Sequence, residues 1–145
     1  MIKKSKNLNK LGLLFAGLIL SNSLHAENLV VTIPKDSDVL RILEIKTKED
    51  YRDKFNLVDY KRINGYWKDK LNGKYIVNYE YKLISKQDII LDANISDVTL
   101  YFRLNLLKFN SNIYNNESFF KKGKISLKHT EIGWKEDDSL LGISF

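Results

Sequence analysis

His129 and Glu131 stand two positions apart. In an extended strand, residues so spaced share a face, which is the arrangement a general base and its orienting carboxylate need. His129 also falls in the alternation of Ile125 and Leu127, on the side a core would occupy. These two are the candidate catalytic residues. They would suit an isomerase, dehydratase or hydrolase working on a small molecule in a cone-shaped pocket. The competing reading is a His and a Glu at the rim of a sheet, favoured because no second polar partner can be picked out of the sequence. Metal chemistry has little to work with. There is no cysteine, and the only other histidine is His25, so three or four ligands would have to come from carboxylates. Glu136, Asp137 and Asp138 are adjacent, whereas a calcium loop spreads its oxygens over a dozen positions around a bend glycine. They read as a solvated turn, and no metal or cofactor is expected.

Aromatic residues offer binding chemistry instead. Tyr66 and Trp67 precede Lys68 and Lys70, with Lys74 just beyond, and exposed aromatics beside bases stack on sugar rings or nucleobases. The alternative is that Tyr66 and Trp67 fold back as the edge of a core. Tyr75, Tyr79 and Tyr81 repeat with period two, first of all the mark of a core face whose hydroxyls reach outward. Tyr66, Trp67, Tyr79 and Tyr81 are therefore the candidate binding residues.

These side chains need a scaffold, and 145 residues with 43% apolar and 29% charged side chains suit one domain. The formal charge is +6, but Lys3, Lys4, Lys6 and Lys10 head a stretch of 26 residues that holds no acid. An unbroken apolar run follows at 11–20, then the short polar Ser-Asn-Ser-Leu-His-Ala. This is the layout of a cleaved Sec-type secretory signal. Ten apolar residues make a helix of about 15 Å, half a hydrocarbon core, so a permanent anchor is not expected. The expected cut follows Ala26, with one after Ser23 as the alternative, leaving a single domain at 27–145 in the periplasm or secreted. Taking those four lysines from 24 bases leaves 20 against 18 acids. A balance of +2 gives no electrostatic case for nucleic acid.

Asp36, Ser37 and Asp38 supply capping oxygens ahead of Val39, Leu40, Ile42 and Leu43, which predicts a helix over 37–55, with a break near Thr47 or a strand over 39–45 as alternatives. Period-two alternation predicts strands over 57–63, 74–85, 98–106 and 121–132, with a closing strand over 140–145. Residues 98–106 are read as a strand because a helix would scatter their apolar side chains around its whole circumference. Asn64-Gly65 and Asn72-Gly73 are turn dipeptides, 110–118 is a polar loop, and Gly133-Trp134 ends a strand. The expected fold is α+β, an N-terminal helix or helices packed on a curved antiparallel sheet of four or five strands.

The run Asn64-Gly65, Tyr75-x-Val77-x-Tyr79-x-Tyr81, Phe120-Lys121-Lys122-Gly123-Lys124 and Ile132-Gly133-Trp134-Lys135 resembles the later strands of small exported NTF2-like or cystatin-like domains. The resemblance spans 64–135. It implies a helix across a bent sheet and a cone-shaped concavity, which some relatives use for catalysis and many for binding or dimerisation; it carries over no catalytic motif. The expected function is a non-catalytic binding or scaffold domain of the cell envelope whose partner is an envelope protein or a glycan. The His129 and Glu131 enzyme is the alternative. A secreted inhibitor of a lytic enzyme, inserting the loop at 110–118 or 65–73, is the second. A sheet face exposing Tyr81 or Phe102 would point to a homodimer.

Overall fold

A computed structural model describes residues 30–92 and 94–138. Residues 30–32 carry no regular structure, and residues 33–138 belong to one compact unit. The expected signal at 1–26 and the expected strand at 140–145 lie outside the described residues.

Helix α1 (Asp36–Tyr51) begins where the sequence supplies acids. Asp38 Oδ2 accepts the Lys35 N–H at 2.9 Å, and Asp36 and Asp38 complement the positive end of the helix. Val39, Ile42, Leu43, Thr47 and Tyr51 are buried at helical spacing, one stripe of an unbroken helix. The helix stops short of the expected Phe55. Arg52 and Asp53 adopt left-handed φ of 53° and 61°, the Arg52 N–H closes on Lys48 O, and Phe55 opens a strand instead.

Strands β1 (Phe55–Asp69) and β2 (Lys74–Ser85) form a long antiparallel hairpin. Its turn is at Asn72-Gly73, as the dipeptide predicts. Gly73 takes φ 62°, and Asn72 donates to Asp69 from both its backbone (3.1 Å) and its side chain (2.6 Å). Those two bonds, the side-chain one foremost, hold the Asp69 carboxyl below its ordinary range. Asn64-Gly65 is not a turn: it lies inside β1, where the ladder slips between Arg62 and Asn64. Gly65 serves there by its missing side chain. A Cβ on it would stand 2.6 Å from Cε1 of Tyr75.

The chain then leaves the sheet. Ile89 and Ile113 bridge each other and are buried, and between them Val98–Leu107 forms helix α2, where a strand was expected. Asp97 Oδ1 accepts the Leu100 N–H at 3.0 Å and starts the helix. The apolar side chains do scatter around it. Leu100 and Leu104 are buried, while Val98, Phe102 and Leu106 face outward, so the pattern that argued against a helix is that of one with an apolar outer stripe. Two ion pairs tie α2 to α1 and its end: Arg52 to Asp97 (3.0 Å) and Arg103 to Asp50 (3.3 Å).

Strand β3 (Ser118–Thr130) returns to pair with β2 along nearly its whole length, and a turn at Glu131-Ile132 leads into β4 (Gly133–Glu136). Gly133, at φ 109°, opens this last strand and does not end one. The sheet is antiparallel and open, in the order β1-β2-β3-β4. The architecture is α+β, but its second helix is inserted between β2 and β3 and does not precede the sheet. Among the described residues no helix is long and apolar enough to cross a membrane.

Candidate functional site

Register sorts the strand residues onto two faces. On the face toward α1, Val77, Leu83 and Leu127 are fully buried with Val39 and Leu43 of the helix. Tyr81 is buried there and hydrogen-bonded to Thr47. Burial pushes the Tyr81 and Tyr51 hydroxyls up to about 12, and Tyr79 also rises by burial. Lys46 grips both carboxylate oxygens of Glu136, at 2.7 and 3.0 Å, from α1 to β4.

Glycines make room for the tyrosines. The Tyr75 ring covers Gly65 on β1, and the Tyr79 hydroxyl covers Gly123 on β3, where a Cβ would stand 2.5 Å away. Tyr79 stacks on Tyr81 at 5.7 Å between centroids. At the other end of this face, Trp67 packs edge-on against Tyr75 (5.1 Å) and beside Trp134 (6.1 Å). Tyr66 and Trp67 thus lie in strand β1, not in a turn, and they part company. Trp67 joins the aromatic cluster under the helix side, and Tyr66, half exposed, stands on the opposite face opposite Ile76. The turn itself occupies only 70–73, so most of the stretch expected as a 65–73 loop is strand.

His129 faces the aromatic cluster. Its ring meets Trp134 edge-on at 5.2 Å and its backbone N–H donates to Gly73 O. Glu131 lies exposed in the β3–β4 turn, and among the described residues no hydrogen bond or ion pair joins the two. The acidic triplet is also divided. Glu136 belongs to Lys46, whereas Asp137, one residue on and buried, pairs with Lys74 at 3.3 Å on the other face. Two open clefts flank the core. One, of about 380 Å³, lies between α1 and the start of β1 and is lined by Arg41, Glu44, Lys48, Asp53 and Lys86 among others. The second, about 370 Å³, lies between α2 and the 86–97 segment and is lined by Ile89, Leu100 and Leu104. Neither includes His129, Glu131, Tyr66 or Trp67.

The face away from α1 carries the charge. Glu80 on β2 is shared by Lys61 (3.9 Å) and Lys122 (3.6 Å), its register partners on either side, and Lys82 pairs with Asp59 (2.9 Å). Further along, Lys74, Lys128 and Lys135 stand directly abreast on β2, β3 and β4. Lys124 lies on the same face of β3, and Lys124, Lys128 and Lys135 are exposed, with no acidic partner among the described residues. Like charges directly opposite one another destabilise a sheet. The sequence holds a trace of this row in Lys122, Lys124 and Lys128, which alternate with the buried Ile125 and Leu127. Its extension across strands needs the register. Tyr66 and Phe120, 49% and 59% exposed, share this face and give it apolar surface between the lysines.

No protein-family model, curated protein or solved structure matches this chain.

Proposed function

We propose that the protein is an exported, non-catalytic binding domain of the cell envelope, of the NTF2-like or cystatin-like kind, which takes its partner on the sheet face that α1 leaves uncovered. One observation supports this most. The face under the helix is occupied by the protein's own side chains, with tyrosine rings lying over Gly65 and Gly123, whereas the opposite face displays Tyr66, Phe120 and a row of lysines. A surface built this way makes contacts without needing a reacting group. His129, against Trp134, is an aromatic-cluster residue in this reading, and Glu131 a turn residue.

The test has two parts. Intact mass of the protein recovered from its host reads export: loss of residues 1–26 supports it, and a full-length cytoplasmic product opposes it. Photo-cross-linkers placed at Tyr66, Phe120 and, as a control, at Ile45 on the outer side of α1 then report the binding surface. Adducts from the first two and none from the third are expected. Adducts from Ile45 alone would reject the sheet face. His129→Ala is expected to leave the adducts unchanged.

A further inference from the structure

We infer that the sheet face turned away from α1 binds an anionic polysaccharide, its carboxylates meeting Lys124, Lys128 and Lys135 and a sugar ring lying on Tyr66. This rests on the proposed binding role of that face and names its ligand class. Net charge hides the feature, because 20 bases and 17 acids in residues 30–138 nearly cancel. The fold separates them. On this face Lys61, Lys82 and Lys122 have carboxylate partners in Glu80 and Asp59, and Lys74 has Asp137. Lys124, Lys128 and Lys135 are left over and exposed, so three positive charges without acidic partners among the described residues stand on this one face.

Spacing fits a polymer better than a single small anion. Neighbouring strands lie about 4.8 Å apart, so Lys128 and Lys135 stand side by side as a pair. Lys124 and Lys128 are four residues apart along β3, about 13 Å at strand rise. Charges so distributed match a chain that carries one carboxylate on each of several sugars, and no cavity is needed to hold it. The flanking polar pair Asn64 and Asn78, hydrogen-bonded to each other on the same face, adds donors and acceptors suited to hydroxyl groups. Tyr66 supplies the flat ring that pyranose faces pack against. The lysines are exposed, so binding is expected to weaken as salt rises.

Affinity electrophoresis and calorimetry with polygalacturonate test the inference, with neutral dextran and vesicles of anionic phospholipid as the other two probes. Polygalacturonate is expected to bind and dextran not to. Lys124→Ala, Lys128→Ala and Lys135→Ala combined are expected to weaken binding at least tenfold, and Tyr66→Ala several-fold. The triple variant Lys35→Ala, Lys48→Ala, Lys86→Ala removes as much charge from elsewhere and is expected to change it less than twofold. Equal losses in the two triple variants would overturn the inference, as would vesicle binding without polygalacturonate binding. If polygalacturonate fails to bind while cross-links at Tyr66 and Phe120 persist, the ligand class is wrong and the binding face stands. If both fail, the binding face falls as well. Circular dichroism of each triple variant confirms that a loss is not unfolding, since all six side chains are exposed.

Discussion

The hydroxyl of Tyr79 lies over the α-carbon of Gly123, its direct partner across the β2–β3 ladder. On the other side of β2, Tyr75 lies over Gly65, which is diagonal to it across the β1–β2 ladder. A glycine in a strand ordinarily weakens it, and here an aromatic ring covers the gap that the missing side chain leaves.

The two positions are expected to respond unequally to alanine. Tyr75 is buried and packed against both Trp67 and Trp134, so it has little room to swing away from a Cβ at residue 65. Tyr79 is only half buried and can turn aside. Gly65→Ala is therefore expected to cost about 2–3 kcal/mol, at the upper end for overpacking, and Gly123→Ala about 1 kcal/mol. Urea unfolding of both variants measures this, and the reverse order would show that the rings do not constrain the glycines.

Alkaline pH tests the face beneath α1. The Tyr51 and Tyr81 hydroxyls, both raised to about 12 by burial, hold their protons more tightly folded than unfolded. Their contribution is complete below pH 10, and it is lost as pH rises through 12 because the unfolded chain ionises first. Stability is expected to fall across that window, with tyrosinate absorbance from these residues appearing together with unfolding. Tyr51→Phe with Tyr81→Phe should flatten the fall. A tyrosinate signal near pH 10 involving every tyrosine of the folded protein would contradict the burial.

Helix α2 can be told from a strand by where substitutions hurt. Leu104, fully buried, should cost about 2–5 kcal/mol as alanine. Leu106, 76% exposed, should cost less than about 0.5 kcal/mol. Proline is expected to be tolerated at Val98, the first helical residue, and to disrupt the helix at Phe102. Thermal melts of the four variants decide the matter; equal costs at Leu104 and Leu106 would count against the helix.

The clamp between Lys46 and Glu136 is short but more than a quarter exposed on both sides. A double-mutant cycle with Lys46→Ala and Glu136→Ala is expected to give a coupling below about 1 kcal/mol that shrinks in high salt. A coupling several times larger, and insensitive to salt, would mean that the pair is shielded from solvent.

Helix α1 was readable from its acids and apolar spacing, and β2 from alternation that coincides with Lys74–Ser85 residue for residue. Residues 98–107 misled because their helix exposes Val98, Phe102 and Leu106 as well as burying Leu100 and Leu104. Periodicity reports burial on one side, and this helix has apolar groups on both. Asn64-Gly65 misled for a different reason. The dipeptide supplies easy positive φ, but its glycine answers to a ring from a neighbouring strand, which local sequence does not reveal. The candidate site divides likewise. Tyr66 and Trp67 were legible as aromatics near lysines, but their placement on opposite faces depends on where β1 runs. The row Lys74, Lys128 and Lys135 draws on three strands and exists only in their register.

The insertion of α2 has a kinetic corollary. Strands β1 and β2 meet through a turn of a few residues, whereas β2 and β3, equally close neighbours in the sheet, are separated by all of 86–117. Closing the longer loop costs more chain entropy, and contacts distant in sequence form late. The β1–β2 hairpin is thus the natural early structure. The lysine row that crosses β2, β3 and β4 is assembled only when β3 docks, so a chain halted at the hairpin would already have its tyrosine stripe but not the cationic surface.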